Sequence, residues 1–160
     1  MLQILSYIDE YTQTDLKQLE IMINIATKKG YLIPREQDWF IQSIRRGESI
    51  GVKVNGLLVG NAMLSPVTLP NGRLDGIMYG AVWREKYNGG ELIFSETFRI
   101  AKDRFDTTYA MVKKSNQKSL CLFKRYGAHI IEDIDSVDPL VSMNIAHDEN
   151  VNCLLLSFSR

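Results

Sequence analysis

The protein has 160 residues, of which 45% are hydrophobic and 24% are charged, and these proportions exclude a largely disordered chain. The length predicts a single domain over residues 1–160, because two domains would each be close to the size at which a hydrophobic core becomes marginal. Nineteen basic side chains balance 19 acidic ones, so the net charge of zero gives no general attraction to nucleic acid or to an anionic membrane. We therefore expect neither as a partner.

Signals for targeting and for metal binding are missing from the sequence. The N-terminal segment 1–5 has no basic stretch, and no apolar run approaches the ~18 residues of a membrane span, which favours a cytoplasmic protein. Cys121 and Cys153 lie in apolar sequence, which predicts two buried reduced thiols. Because no Cys or His cluster is present, we expect no metal site.

The first 47 residues are predicted to form a short strand and two helices. Thr12 and Asp15 have the spacing of a capping box, and Gly30 follows the last residue of the first apolar helical pattern. Pro34 and Gly47 bound a second helical pattern. In chain order, the elements are a strand at 2–8, a helix from 12 to about 29 and a helix at about 35–46.

The middle of the chain is predicted to form an antiparallel meander. Asn55-Gly56 is a strong signal for a two-residue hairpin, and Asn71-Gly72 marks the next turn. The three strands are expected at 49–54, 57–67 and 74–82, followed by a loop at 83–90.

The last part of the chain alternates helices and strands. Its elements are a helix at about 91–105, a strand at 107–112, a helix at 117–126, strands at 128–134 and 152–158, and an acidic irregular stretch at 132–150. The first of these helices carries an apolar stripe of Phe94, Phe98, Ala101 and Phe105, which predicts that it faces the core. The complete order of elements predicts a mixed α/β (α+β) sheet with helices on its faces.

A glycine pair stands where the loop after the third meander strand meets the next helix. Gly89-Gly90 would let backbone N–H groups approach a bound group closely, and the helix N-terminus adds unpaired donors. Together they would form an anion site suited to a pyrophosphate, with Lys86 and Arg84 adding positive charge. The alternative is a plain strand-to-helix turn. Neither a Walker loop nor a dinucleotide-binding fingerprint is present.

A second segment, from Asn116 to Ala128, pairs a capping Asn with a short helix, a glycine stop and a strand, which by itself indicates only structure. In this order, the two segments resemble the GCN5-related N-acetyltransferase (GNAT) superfamily. Its first pattern, Gln/Arg-x-x-Gly-x-Gly/Ala, is degenerate here: Lys86 stands for Gln/Arg, Gly89 is present and Glu91 stands where Gly/Ala is expected. A shift of one residue would place Tyr87 and Gly90 there instead. Its second pattern, Asn-x-x-small-x-x-x-Tyr-x-x-x-Gly-Phe, falls on Asn116, Ser119, Phe123, Gly127 and Ala128.

The resemblance implies a mainly antiparallel sheet of about seven strands flanked by four helices, and acetyl-CoA as cosubstrate. Acetyl-CoA would lie in a V-shaped opening between the third and fourth strands on the meander side, where an amine attacks its thioester directly. The implied contacts are Gly80, Ala81 and Val82 for pantetheine, Lys86, Tyr87, Asn88, Gly89, Gly90 and Glu91 for pyrophosphate, and Asn116 and Phe123 beside the thioester. The family commonly pairs through its C-terminal strands, so a homodimer is one expected assembly.

The sequence departs from the family at two positions. Phe123 stands where the family often has a Tyr that protonates the leaving thiolate, and Tyr126 either substitutes for it or packs. Glu91 would repel a pyrophosphate if its carboxylate pointed inward, so we expect it to point outward.

The third meander strand offers candidates for a general base. Asp75, Ile77, Tyr79 and Ala81 are predicted to alternate onto one face. Asp75 is a candidate base, with closure of the preceding turn as the alternative, and Tyr79 would order a water or line the pocket. A water relay without a base also fits.

Three functions remain open from the sequence. The first is transfer of an acetyl group from acetyl-CoA to a primary amine of a small molecule or a protein, and the second is a CoA-binding or interaction module with little or no turnover. The third is an interaction module unrelated to CoA, favoured if Gly89 and Gly90 are buried against another strand. If the acidic stretch at 132–150 overhangs the acceptor, it would favour a cationic one.

Overall fold

The computed structural model describes residues 1–145 and 152–160. Its strands are β1 (Leu2–Leu5), β2 (Ser49–Val54), β3 (Leu57–Thr68), β4 (Leu74–Trp83), β5 (Thr107–Lys113), β6 (His129–Ile131) and β7 (Cys153–Ser159). Its α-helices are α1 (Gln13–Lys28), α2 (Trp39–Arg45), α3 (Gly89–Arg104), α4 (Gln117–Arg125) and α5 (Pro139–Asn144). Short 3-10 turns lie at Ile8–Glu10, Glu85–Tyr87 and Ile134–Ser136. Apart from α5, the predicted order of elements is confirmed.

Local chemistry accounts for the placement of α1. The Asp15 N–H donates to Thr12 Oγ1 at 3.1 Å and the Thr12 N–H donates to Asp15 Oδ2 at 2.9 Å, so the predicted capping box is present. Asp15 also accepts a hydrogen bond from Lys53 Nζ at 2.9 Å in a buried ion pair. This pair fastens the start of α1 to β2.

The strands form one sheet in the order β1-β2-β3-β4-β5-β7-β6, and every neighbouring pair except β4 and β5 is antiparallel. The parallel β4–β5 pair is joined only at Gly76 with Thr108 and Ile77 with Tyr109. Beyond these residues the two strands separate, while β5 keeps its pairing with β7 along its other edge. A V-shaped gap therefore opens within the sheet.

Helices cover both faces of the sheet. Helices α3 and α4 lie on one face, where the predicted stripe of α3 is buried and Phe98 stacks on Phe158 of β7 with ring centroids 3.8 Å apart. Helices α1, α2 and α5 contribute to the clusters on the opposite face, and Tyr79 of β4 packs against both of those clusters.

Three expectations from the sequence need correction. The described residues contain five α-helices and not four, because Asp138 and Pro139 start α5 within the stretch predicted to be irregular. Helix α2 begins at Trp39 and not near residue 35, since Asp38 adopts a left-handed conformation. Cys121 is exposed and Cys153 is half-buried, because α4 turns Leu120, Leu122 and Phe123 inward and Cys121 outward.

The remainder of the acidic stretch, residues 146–150, lies outside the described residues. Within residues 1–145 and 152–160, no helix has both the length and the apolar character needed to span a bilayer. No group of three His, Cys, Asp or Glu side chains in the same part of the chain is arranged to hold a metal ion.

Candidate active site

The gap between β4 and β5 forms a narrow cleft of about 50 Å³. Its walls include Met78 to Ala81 on β4 and Ala110 to Val112 on β5, and Phe123 of α4 lies on one side. Beyond Ile77, the edge of β4 that faces β5 has no strand partner among the described residues. The backbone groups along this edge are therefore available to an extended ligand.

A β-bulge shapes the β4 side of the cleft. Gly80 has a left-handed backbone (φ +59°), and the register with β3 shifts between Asn61 and Met63. A side chain at Gly80 would collide with the indole of Trp39, so only glycine fits there. The prediction that Tyr79 and Ala81 share one face of the sheet is wrong because of this bulge. Tyr79 packs on the α1–α2 face, whereas Ala81 packs on the α3–α4 face.

The N-terminus of α3 is open beside the cleft. Asn88 precedes it with a left-handed backbone and provides no side-chain cap to this 16-residue helix. The Gly89 N–H donates to Arg84 O at 3.1 Å, but those of Gly90 and Glu91 find no acceptor in the described part of the chain. Two unpaired donors at the positive end of a helix form an anion-binding feature.

The cationic side chains near this helix end differ in whether they already have a hydrogen-bond or ion-pair partner. Arg84 Nε donates to Leu58 O at 3.0 Å, so it ties the loop to β3. Lys86 is exposed, with its ammonium 5.8 Å from the centroid of the Tyr87 ring. Lys118 of α4 reaches across to Glu85 Oε1 at 2.6 Å, which links α4 to the same loop.

Four cavities follow one another around the outer half of β4. A groove of about 390 Å³ between the start of α3 and α4 shares Trp83 and Glu85 with a cavity of about 290 Å³ beside α1. That cavity shares Tyr31, Ala81 and Asn116 with the cleft. The cleft in turn shares Arg35 and Tyr79 with a basin of about 790 Å³ next to α2. The narrow cleft is thus flanked on both sides by larger cavities.

Asn116 and Phe123 both line the cleft. Asn116 Oδ1 accepts from the Ser119 N–H at 3.2 Å and caps α4, and its Nδ2 donates to Tyr31 O at 3.5 Å. Asn116 thereby joins α4 to the chain between α1 and α2. Phe123 packs edge-on against Phe94 at 5.0 Å and presents no hydroxyl to the cleft.

No protein-family model and no curated protein matches this sequence. Solved structures match its fold over nearly the whole chain. An acetyltransferase of the GNAT family from Streptococcus pneumoniae aligns with a TM-score of 0.65 at 12% identity, covering 99% of each chain. This chain has the GNAT fold.

Two further structures with this fold hold ligands. Naa50 from Arabidopsis thaliana, in complex with the bisubstrate analogue CoA-Ac-MVNAL, aligns at 15% identity and a TM-score of 0.67, with 99% of both chains covered. N-acetylglutamate synthase from Neisseria gonorrhoeae, complexed with coenzyme A and N-acetyl-glutamate, aligns at 14% identity and a TM-score of 0.72. That match covers 99% of this chain and 35% of the synthase. The GNAT fold implied by the sequence motifs is confirmed.

Tyr126 and Glu91 contact each other away from the cleft. The Tyr126 hydroxyl donates to Glu91 Oε2 at 3.0 Å, and Arg125 forms an ion pair with the same carboxylate. Glu91 is therefore held against the end of α4 and its charge is balanced there. Neither the cleft nor the basin includes Tyr126 in its walls, so its hydroxyl is not placed to protonate a thiolate in the cleft.

Asp75 lies at the closed end of the β4–β5 pair. Its carboxylate accepts from Arg73 Nε at 2.8 Å and from the Thr107 N–H at 3.2 Å, and the residue is 1% exposed. None of the four cavities includes it. The structure thus separates Asp75 from Tyr79, which does line the cleft, and gives it the contacts expected of a residue that closes the turn.

The glycine pair is buried and Gly89 lies against β3, which is the condition under which the sequence favours an interaction module unrelated to CoA. A side chain at Gly89 would collide with the Val59 carbonyl of β3, and one at Gly90 would meet Trp83 and Leu122 at 3.0 to 3.2 Å. Close packing accounts for both glycines. The unpaired N–H groups of Gly90 and Glu91 nevertheless keep the anion-binding feature in the groove.

The basin contains functional candidates that the sequence did not reveal. The Tyr79 hydroxyl hydrogen-bonds with Ser43 Oγ at 2.8 Å, and the guanidinium of Arg35 lies 4.4 Å from the centroid of the Tyr79 ring. Trp39 lies beside Tyr79 with ring centroids 6.0 Å apart. Arg35, Trp39 and Ser43 belong to a chain segment without a recognisable motif, so nothing in the sequence could have singled them out.

Proposed function

We propose that this protein is an N-acetyltransferase that moves an acetyl group from acetyl-CoA to a primary amine. The observation that carries the proposal is the V-shaped cleft between β4 and β5, which is linked through the cavity beside α1 to the groove at the open N-terminus of α3 and leads into a basin at its other end. Two proteins with the same fold were solved with coenzyme A or a CoA-containing analogue, which supports it. One domain comprising residues 1–160 would hold the site.

The residues present fit acetyl-CoA. The unpaired edge of β4 around Gly80, Ala81 and Val82 would accept the amide groups of pantetheine, as an added strand does. The N–H groups of Gly90 and Glu91, with Lys86 nearby, would hold the pyrophosphate. Pairing of Glu91 with Arg125 and Tyr126 removes the repulsion that its carboxylate would otherwise exert.

When bound, acetyl-CoA supplies a thioester whose carbonyl carbon forms a C–N bond with the amine as its C–S bond breaks, and the proton lost by nitrogen ends on sulfur. The chain contributes mainly by positioning, because it holds the two reactants in cavities on opposite sides of the cleft, one joined to it at Ala81 and the other at Tyr79. Phe123 provides no proton donor, so the thiolate would take its proton through water. CoA thiolate is a good enough leaving group for this to suffice.

A second candidate function is CoA binding with little turnover. It is favoured by Phe123, which stands at the position of the family's Tyr. It is also favoured by the narrow cleft, whose volume is about 50 Å³ between the larger cavities. The two functions differ in whether CoA is released from acetyl-CoA in the presence of an amine.

Two measurements test the proposal. Acetyl-CoA and CoA should raise the unfolding temperature, since a ligand at 100 times its Kd stabilises the native state by about 2.7 kcal/mol. Thiol release from acetyl-CoA should then depend on an amine supplied from a panel. Stabilisation without thiol release for any amine would support the second function, and no stabilisation by either ligand would contradict both.

A pair of lysine variants tests the location of the pyrophosphate. Lys86→Glu should weaken CoA binding about 5- to 10-fold at low ionic strength, because it reverses a charge beside the anion site. Lys102→Glu is the matched control, since Lys102 is an exposed lysine near the other end of α3. Equal losses in the two variants would show a general charge effect and would remove this loop from the site.

A further inference from the structure

Arg35 is a half-buried cation without an acidic partner among residues 1–145 and 152–160. Its guanidinium lies 4.4 Å from the ring centroid of Tyr79 and 5.2 Å from that of Trp39. No oxygen atom in the described part of the chain accepts a hydrogen bond from it, and none of the six ion pairs there includes it. Burial lowers the pKa of the Arg35 guanidinium, which shows that this position is costly for an unpaired charge.

The other arginine of the basin is already engaged. Arg46 Nε donates to Glu48 Oε2 at 3.1 Å, and Arg46 Nη2 donates to Ser43 Oγ at 3.2 Å. Arg35 is thus the cation in the basin walls whose five N–H donors remain available. A planar guanidinium stacked on aromatic rings is restricted in orientation, so its edge is prepared for a planar anion such as a carboxylate.

The position of Arg35 constrains the ligand further. Arg35 and Tyr79 line both the cleft and the basin, so the guanidinium lies where the two cavities join. An anion bound there would be next to the bulge at Gly80, which borders the cleft. The same molecule's reactive group would enter the cleft only a few bonds away. The basin of about 790 Å³ has the size of a site for a small molecule.

We infer that Arg35 binds the carboxylate of the acceptor, and that the acceptor is a small primary amine of the amino-acid class. This inference rests on the proposed function for the role of the amine, and on the basin alone for the carboxylate. It differs from the cationic acceptor that the sequence favours if the acidic stretch at 132–150 overhangs the acceptor, and one residue of that stretch, Asn144, lines the basin. A peptide N-terminus carries an amide beside its amine and would lack this contact.

The test compares amino acids with their carboxamides. Glycine, L-alanine and L-phenylalanine are each paired with the corresponding amide, and kcat/KM with acetyl-CoA is measured for all six. Because an acid and its amide differ in amine basicity, the ratio of the two values is compared between protein variants. Arg35→Gln should reduce the acid-to-amide ratio about 10- to 100-fold, as expected for loss of a bidentate charge-assisted contact.

Two variants make the result specific. Arg35→Lys keeps the charge but not the planar donor pair, so its acid-to-amide ratio should fall between those of the wild type and Arg35→Gln. Arg104→Gln is the matched control, because Arg104 also stacks on an aromatic ring, 4.9 Å from the centroid of Phe105, but is remote from the basin. It should leave the ratio unchanged.

The failure of this inference can be distinguished from the failure of the proposed function. Acetylation with an acid-to-amide ratio that is the same in wild type and Arg35→Gln would overturn the carboxylate site and leave the acetyltransferase standing. If no amine is acetylated, binding of the three acids is measured calorimetrically. Binding that Arg35→Gln weakens at least 10-fold, with the amides not binding, would support the carboxylate site although the enzyme proposal had failed. Absence of such binding would overturn the site as well.

Discussion

The two sides of the cleft are built in different ways. On the α3 side, the features available to a ligand are backbone groups, namely the unpaired edge of β4 and the N–H groups of Gly90 and Glu91. On the α2 side they are side chains, with Arg35, Trp39 and Tyr79 stacked together over the basin. Backbone geometry depends little on residue identity, whereas a side-chain site depends on each residue in it.

This difference explains how the fold persists while the motif residues change. Lys86 and Glu91 depart from the family pattern, yet the amides they flank stay open beside the cleft. The three solved structures with the same fold share only 12%, 14% and 15% of their aligned residues with this chain. We therefore expect the α3 side to be common to this fold and the α2 side to carry specificity.

The largest effect is expected at the ion pair that fastens α1, which lines the cavity between the groove and the cleft. Asp15→Asn should destabilise the protein by about 3–5 kcal/mol at pH 7, because it leaves the buried Lys53 ammonium without its partner. Burial raises the pKa of Asp15, but hydrogen bonds from Lys53 and Thr12 outweigh burial and leave it below its ordinary value. Chemical denaturation from pH 7 to pH 2 would measure both effects.

The sign of the pH dependence follows from that lowered pKa. The ionised pair stabilises the native state above the unfolded-state pKa of about 3.9, and this contribution is lost as the pH falls through the folded-state pKa. The free energy of unfolding should fall less steeply at acid pH in Asp15→Asn than in the wild type. Asp103→Asn, on the exposed side of α3, should leave this pH dependence unchanged. If Asp15→Asn kept the pH dependence of the wild type, the ion pair would not form.

An intermediate effect is expected from adding a methyl group at the start of α3. Gly89→Ala should lower the free energy of unfolding by about 1–3 kcal/mol, since the new Cβ meets the Val59 carbonyl, which belongs to β3 and cannot move aside. Gly90→Ala is the matched variant, because its Cβ meets the side chains of Trp83 and Leu122. It should cost less stability but weaken CoA binding by crowding the groove. Equal stabilities would contradict the packing role of Gly89.

The smallest effect is expected at Tyr126, whose hydroxyl contacts Glu91 outside the cleft. Tyr126→Phe should remove about 0.5–1.5 kcal/mol of stability and change kcat less than about 2-fold. Tyr7→Phe, at an exposed tyrosine outside the walls of all four cavities, provides the control. A fall in kcat of more than about 10-fold with unchanged CoA affinity would instead place the Tyr126 hydroxyl at the leaving thiolate.

Much of the fold was predictable because its signals are local. The capping box of Thr12 and Asp15 and the turn at Asn55-Gly56 each act within a few residues, and both occur where the sequence places them. The bulge at Gly80 was missed because a strand pattern gives no indication of an extra residue in the register. The missed helix α5 is only six residues long, too short for a clear apolar period.

The site was predictable only on one side. Asn116, Phe123 and the β4–α3 loop lie in two continuous segments whose order suggested them, and the structure places Asn116 and Phe123 at the cleft and the loop at the neighbouring groove. Tyr126 and Asp75 were plausible by spacing but are occupied elsewhere, the first by Glu91 and the second by Arg73. Spacing along a helix or strand gives a direction for a side chain but not its partner.

The sequence by itself therefore determined the order of elements, the open end of α3 and the resemblance to the GNAT fold. Each of these depends on hydrogen bonding and turn preferences among neighbouring residues. Only the tertiary structure decided which side chains share a cavity, and in particular that Arg35 meets Tyr79 at the mouth of the cleft. Such meetings depend on how α1, α2 and the sheet pack, because packing joins residues that no local interaction connects.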